Sequence, residues 1–397
     1  MARGVDALIN PEVLTWARES AGLSVPSAAR RAGVKPERLG RWEQGAEHLT
    51  LRQLRLLAAA YHRPIAVFYL PKPPTDFQAL HDFRTVTGGV HRPLSPELIW
   101  EIRKAWHRHE VAIDLFDILE IPVPTLKVGA DISEPVSVVA GRIRTQLDIA
   151  RHVQTTWIDR YDALNGWRAA IESVGVLVFQ ARGVSLEEMR AFSIHESPPP
   201  VVVLNVRDTP NGRVFSLLHE LVHVMLHRGG VCDLEENANL AVEDSRTETF
   251  CNAVAGETLV PADWLLEQET VARHPAGSDE WSDRDLEALS RTFSVSREVI
   301  LRRLLAVGRT SGHFYRSMRE RFLREYESHT PPGGFLAPDM AAIVTAGRPF
   351  VRLVLDGYYS ERLTSRDVSE YLGVRLKHLP RIEERVSVLG TAMREAH

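Results

Sequence analysis

The stretch Phe215-Ser216-Leu217-Leu218-His219-Glu220-Leu221-Val222-His223-Val224-Met225-Leu226-His227 carries two histidines four residues apart, with a glutamate beside the first. On an α-helix, positions i and i+4 share a face. His219 and His223 can therefore present two imidazole nitrogens to one point while Glu220 lies next to them. Zn²⁺ in a hydrolytic site takes three protein ligands and leaves a fourth position to water, whose pKa falls to about 7. A carboxylate such as Glu220 then takes the proton as that water attacks a carbonyl carbon. Leu217, Leu218, Leu221, Val222, Met225 and Leu226 give the segment the character of a core helix, and Gly229-Gly230 marks its end.

The third ligand must come from elsewhere, and the next helical segment, Glu243 to Pro261, offers several carboxylates. Glu248 is preferred. Asn252 follows it by one turn on the same face, placed to hydrogen-bond the free nitrogen of a ligand histidine, and Ala253, Val254 and Ala255 permit close helix packing. Glu243 and Asp244 stand as alternatives. Cys251 could also ligate, but a lone cysteine on an apolar helix reads as a small buried hydrophobe. Two histidines and a carboxylate suit Zn²⁺ best and leave Mn²⁺ and Fe²⁺ open. Hydrolysis also needs a group to stabilise the oxyanion, for which His195, His227 and Tyr315 are the candidates.

Together these segments resemble the ImmA/IrrE metallo-endopeptidases. Members of that family carry a helix reading His-Glu-Leu-x-His-x-x-Leu-His, matched by His219 to His227, and later Glu-x-x-Ala-Asn-x-Phe-Ala-x-x-Leu-Leu-Met-Pro. Here Glu248, Asn252, Ala255, Leu259 and Pro261 match in register, while Cys251, Val254, Thr258 and Val260 depart at packing positions. The resemblance implies a zincin-like core in which His219, His223 and Glu248 hold zinc, Glu220 is the general base and Asn252 orients a ligand. It implies a protein substrate, typically a repressor whose cleavage switches on genes of stress response or mobile elements.

Residues 8–70 read as five short helices, Pro11–Ala21, Val25–Ala32, Pro36–Gln44, Thr50–His62 and Pro64–Tyr69, broken by Gly22, Gly33 and Gly45. Within them, Ser27 to Gly45, ending Trp42-Glu43-Gln44-Gly45, is similar to the helix-turn-helix of XRE (Cro/repressor-like) regulators. That likeness turns Lys35, Glu37, Arg38 and Arg41 toward a major groove and leaves Arg30 and Arg31 to phosphates or solvent. A single such unit reads few base pairs, so useful DNA affinity calls for a homodimer on paired half-sites.

Charge supports the division. Residues 1–75 carry 11 Lys/Arg against 6 Asp/Glu, and residues 76–282 carry 18 against 31, within an overall net charge of -4. A basic end attracts nucleic acid, and an acidic middle tolerates a cation. Residues 1–30 lack a basic region followed by an apolar run, and no run of eighteen apolar residues occurs, so neither export nor membrane spanning is expected. Two cysteines, Cys232 and Cys251, fit a reducing cytoplasm without a disulfide framework.

The remaining segments frame the site. Leu70-Pro71-Lys72-Pro73-Pro74 is a stiff boundary, and 76–84 is similar to the family's linking segment. Helices are expected over 95–120 and 134–172. Short β-branched runs, Val174–Phe179, Met189–Ile194 and Val201–Val206, predict a small sheet just before the histidine helix. Beyond Pro261 the chain reads as helical: a pair over 286–306 around Ser294-Val295-Ser296, a charged helix over 312–328, a linker at 330–334, and a tail from 338 with a helix-turn-like phrase at Leu363–Gly373. No internal repeat is evident.

The expected fold is α+β and predominantly helical. It divides into a helix-turn-helix domain (1–74), a helical linker region (75–150), a zincin-like metallopeptidase core (151–270), a helical, helix-turn-helix-like region (271–330) and a C-terminal helical lobe (331–397). The expected function is a cytoplasmic zinc endopeptidase acting in transcription regulation. Two alternatives are a DNA-binding regulator with a structural or inactive metal site and an antitoxin-like partner-binding protein.

Overall fold

The structure is a computed structural model that describes residues 5–74, 94–227, 240–327 and 336–394. The linking segment 76–84, Gly229-Gly230, Cys232 and the linker 330–334 lie outside the described residues, as do the side chains of His227, Glu243 and Asp244. The fold is α+β and predominantly helical, as expected. Contacts sort the chain into two compact units, Met1–Lys104 with Gly183–Met189, and Ala105–Arg182 with Arg190–His397.

In the first unit, β1 (Asp6–Ala7) pairs antiparallel with β2 (Leu49–Thr50) around helices α1 (Pro11–Ser20), α2 (Val25–Ala32), α3 (Pro36–Glu43) and α4 (Leu51–Ala60). Each of α1, α2 and α4 starts on a side-chain cap, from Asn10, Ser24 and Thr50, which satisfies amide groups that a helix start leaves unpaired. Leu14, Ala28, Leu39, Trp42, Leu54, Leu57 and Tyr61 fill the core. Arg18 holds Glu43 by two hydrogen bonds of 2.7 and 3.0 Å, tying α1 to the end of α3. The expected fifth helix is instead a 3₁₀ turn, Ile65–Tyr69. Pro64 before it and Pro71 after it leave room only for i→i+3 bonds, Val67 to Pro64 and Leu70 to Val67.

Helix α5 (Pro96–Ile118) leads into the second unit. The single helix expected over 134–172 is three: α6 (Val136–Gln146), α7 (Arg151–Thr155) and α8 (Arg160–Ser173). Asp148 adopts φ +52° and closes α6, and the Asp159 carboxylate caps α8. Gly175, at φ +93°, turns the chain so that the first strand starts later than expected. The sheet comprises β3 (Leu177–Ala181), β4 (Ala191–Ile194) and β5 (Val201–Asn205) in the order β3-β5-β4, with β5 parallel to β3 and antiparallel to β4. Every residue of β3 and β5 is buried. Burial on both faces is why these strands read as continuous apolar runs. Val178, Val202 and Leu204 join Trp167 and Ile171 of α8 in the main core, and Phe179 meets Phe350 edge-on at 5.7 Å.

Helices α9 (Pro210–His227) and α10 (Leu240–Leu259) follow. After them come α11 (Ala262–Leu266), α12 (Glu269–Ala272), α13 (Asp283–Phe293), α14 (Arg297–Ala306), α15 (Gly312–Glu327), α16 (Pro338–Ala346), α17 (Arg348–Tyr359), α18 (Ser365–Leu372), a 3₁₀ turn at Leu376–His378, and α19 (Leu379–Arg394). Among the described residues no helix is long and apolar enough to cross a membrane.

The C-terminal carbonyls of α10 sit in a polar collar. Arg144 donates to Thr258 O at 2.7 Å, buried Gln154 donates to Leu259 O at 3.0 Å and Phe293 O at 2.9 Å, and Arg303 donates to Val260 O at 2.9 Å. These donors satisfy carbonyls that a helix end leaves open, and the two guanidinium charges complement its dipole. Truncation by Gln154→Ala leaves two buried carbonyls short of a donor and should cost about 2–4 kcal/mol, read as a lower urea midpoint with unchanged m-value.

Candidate metal centre

Helix α9 is buried along Val214, Leu217, Leu218, Leu221, Val222, Val224 and Met225, which pack against α8, α10 and the sheet. That packing leaves one polar edge, occupied by buried His219 and Glu220 and half-buried His223. Helix α10 crosses beside it and delivers Glu248 from its middle.

The two ring nitrogens converge. His219 Nε2 and His223 Nε2 are 3.1 Å apart, His219 Nε2 is 3.2 Å from Glu248 Oε2, and His223 Nε2 is 3.1 Å from Glu248 Oε1. The three residues form a cluster whose ligand atoms lie within 4.8 Å of one another, and such a cluster can hold a metal ion. Tetrahedral ligands about 2.0–2.2 Å from an ion stand about 3.3–3.6 Å apart, so only a small outward shift fits these donors to a small divalent cation. Protonation reflects the crowding. Burial opposes the His223 imidazolium, but hydrogen bonds to Cys251 and Glu248 and the charge of Glu220 raise its pKa to about 11. Burial likewise opposes the Glu248 carboxylate, yet bonds from His219 and His223 hold it well below the usual carboxylate range.

Glu220 stands outside the cluster and accepts a hydrogen bond of 2.9 Å from Ser193 Oγ on β4. Sequence reasoning misses this partner, because a serine inside a short strand carries no signal and only the packing of α9 on β4 brings it there. Cys251 is buried, as expected of a small hydrophobe, and it also contacts His223. Burial raises the thiol pKa, the His223 contact lowers it, and burial prevails. Asn252 is half-buried one turn beyond Glu248, and among the described residues it makes no hydrogen bond to either histidine. His219 Nδ1 is buried without a hydrogen-bond partner among the described residues. Of the oxyanion candidates, His195 follows β4 by alternation from Ser193, and Tyr315 packs half-buried against the core.

In the first unit, α2 and α3 meet at Gly33, φ +64°, which makes the turn between the two helices. Arg30, Lys35, Glu37 and Arg41 are exposed and Arg38 half-exposed. Three of the basic side chains are engaged by carboxylates of their own unit. Arg38 and Arg41 donate to the two oxygens of Glu47 at 2.8 and 3.0 Å, and Arg31 pairs with Glu97. Hydrogen bonds from Arg41 and then Arg38 hold the Glu47 pKa below its ordinary value.

A histidine pair on a helix packed against a small mixed sheet, with a carboxylate from the following helix, defines a metallopeptidase-like domain, joined in this chain to a helix-turn-helix domain. Residues 171–305 match the family model of the IrrE N-terminal-like domain, peptidase M78, and residues 12–67 match that of a helix-turn-helix domain. The two matches bear out the ImmA/IrrE resemblance with its N-terminal helix-turn-helix. No curated protein matches the chain.

The Ser193 contact can be tested by Ser193→Ala. A hydrogen bond to a buried carboxylate is worth about 1.5–3 kcal/mol, and chemical denaturation of the variant should show a loss of that size. An unchanged midpoint would mean that water replaces the hydroxyl.

Proposed function

We propose that this chain is a zinc-dependent regulatory endopeptidase that cleaves a specific protein, a transcriptional repressor in the reading that the ImmA/IrrE resemblance favours. The observation that carries the proposal is the convergence of His219, His223 and Glu248, with Glu220 held beside them by Ser193. A divalent cation there would supply Lewis acidity to an attacking water and to the scissile carbonyl. Glu220 takes the proton from that water and returns it to the leaving amine, while Ser193 keeps its carboxylate aimed. The sheet supplies the substrate platform. Among the described residues strand β4 has a sheet partner on one side only, β5, and its other edge can pair with an extended peptide, fixing the scissile bond through backbone hydrogen bonds.

In this proposal residues 1–74 form the DNA-directed domain, 75–150 a helical connection, 151–270 the zincin-like core, 271–330 a helical continuation and 331–397 a C-terminal lobe. DNA binding through Lys35, Glu37, Arg38 and Arg41, with Arg30 and Arg31 on phosphates, requires Arg38 and Arg41 to exchange Glu47 for nucleic acid, and a homodimer would pair two half-sites.

Purified protein should carry close to one metal ion per chain by elemental analysis, and Glu248→Ala should lose it. Glu220→Gln should keep the metal and lower target cleavage by about 10²–10⁴-fold. A protein that takes up no metal after reconstitution would end the peptidase reading. For the N-terminal domain, Glu47→Ala frees two arginines and should tighten duplex DNA binding in low-salt fluorescence anisotropy. Weaker binding would mean that Glu47 orders the arginines for DNA rather than competing with it.

A further inference from the structure

The helical tail contains a turn built like the one between α2 and α3. Thr364 caps α18 as Ser24 caps α2, and each accepts from the amide three residues on, Asp367 and Ser27. Gly373 ends its helix at φ 65°, ψ 30°, and Gly33 does so at φ 64°, ψ 34°. The next amides reach back identically, Val374 to Ser369 O and Val34 to Ala29 O. Arg375 at φ -76°, ψ 143° then repeats Lys35 at φ -79°, ψ 137° as the residue that opens the second helical segment. Burial keeps the same register: Val368, Leu372, Leu379 and Ile382 are buried where Ala28, Ala32, Leu39 and Trp42 are. Glycine, valine and leucine are the only identities between 24–39 and 364–379. The helix-turn-like phrase is legible in the sequence, but its match to 24–39 shows only in the backbone geometry.

At a constant offset, the four positions expected to face a groove in the N-terminal domain, Lys35, Glu37, Arg38 and Arg41, correspond to Arg375, Lys377, His378 and Arg381. Three of these are exposed and His378 is half-exposed. Among the described residues none of the four lies in an ion pair, whereas Arg38 and Arg41 are both held by Glu47. Of the acids close by, Glu383 accepts from Tyr359, Asp367 accepts from Thr364, buried Asp339 pairs with Arg385 and also lies within reach of the Arg381 charge, and Glu370 and Glu384 lie outside the four positions. Exposed Arg362 and Arg366 flank the start of α18. A third turn of this type, between α13 and α14, pivots on Ser294 at φ 53°, but Val299 is buried where Arg38 stands, so that unit packs in the core.

We propose that residues 364–386 form a second helix-turn-helix, which binds duplex DNA through Arg375, Lys377, His378 and Arg381. Exposed Arg375, Lys377 and Arg381, none of them in an ion pair among the described residues, suit it to the phosphate backbone. This inference is independent of the peptidase reading and of DNA binding by residues 12–67.

The test is anisotropy of full-length protein with a labelled duplex of mixed sequence, titrated over a range of salt, for wild type and for Arg375→Ala/Lys377→Ala/Arg381→Ala. The triple variant should bind about tenfold or more weakly at low salt, with the salt slope reduced by about 0.9 for each phosphate that it no longer neutralises. The weakening should persist in a background of Arg38→Ala/Arg41→Ala, which separates the lobe from the N-terminal domain, and Arg375→Lys/Arg381→Lys should bind like wild type. If the triple variant fails to fold by circular dichroism, Lys377→Glu alone, on the exposed 3₁₀ turn, should show the same weakening. Unchanged affinity and slope would overturn the proposal. So would binding confined to single-stranded RNA of equal length.

Discussion

Everything around the site follows from the difficulty of holding two imidazoles and a carboxylate against one point. Left in water, each would be solvated separately, and in a low-dielectric interior each needs a partner. The fold answers by placing the donors on two packed helices. Helix α9 gives its apolar side to α8 and the sheet, so His219 and His223 have little freedom to turn away. Helix α10 must then stay in register for Glu248 to reach them, and its far end is gripped by Arg144, Gln154 and Arg303. These three come from α6, α7 and α14, so elements distant in sequence all bear on the position of one carboxylate.

The same economy of charge separates the two helix-turn-helix surfaces. In the N-terminal unit Arg31, Arg38 and Arg41 have carboxylate partners close at hand. Exposed pairs of this kind are weak and exchangeable, and phosphate competes with them at low salt. In the C-terminal lobe Arg375, Lys377 and Arg381 stand at equivalent positions and lie in no ion pair among the described residues. Two similar backbones thus carry different arrangements of charge.

Much of the site was legible because helical chemistry is local. A spacing of four puts His219 and His223 on one face whatever surrounds them, and an apolar stripe at helical period declares which side is buried. The strands were legible for a similar reason, since β-branched runs between turn residues mark them even when their ends shift, as at Gly175. Where the structure departs from expectation, a local rule has been overridden. The helix expected over 134–172 breaks at Asp148, an aspartate in the left-handed region, because α7 has to reach the end of α10. Residues 64–69 tighten to a 3₁₀ turn between two prolines.

The sequence by itself determined the histidine pair, the glutamate beside it, the choice of Glu248 among several carboxylates as the partner to watch, and the helix-turn-helix at the N-terminus. Each rests on periodicity, capping or turn chemistry within a few residues. Tertiary structure alone decided that Ser193 meets Glu220, that Cys251 touches His223, that Gln154 caps α10, and that Glu47 occupies Arg38 and Arg41. It also disclosed that the helix-turn-like phrase at Leu363–Gly373 repeats the turn between α2 and α3, where three identities in sixteen positions conceal matching dihedral angles. These contacts join residues remote in sequence, and their partners are set by how helices and strands pack, which no short-range pattern encodes.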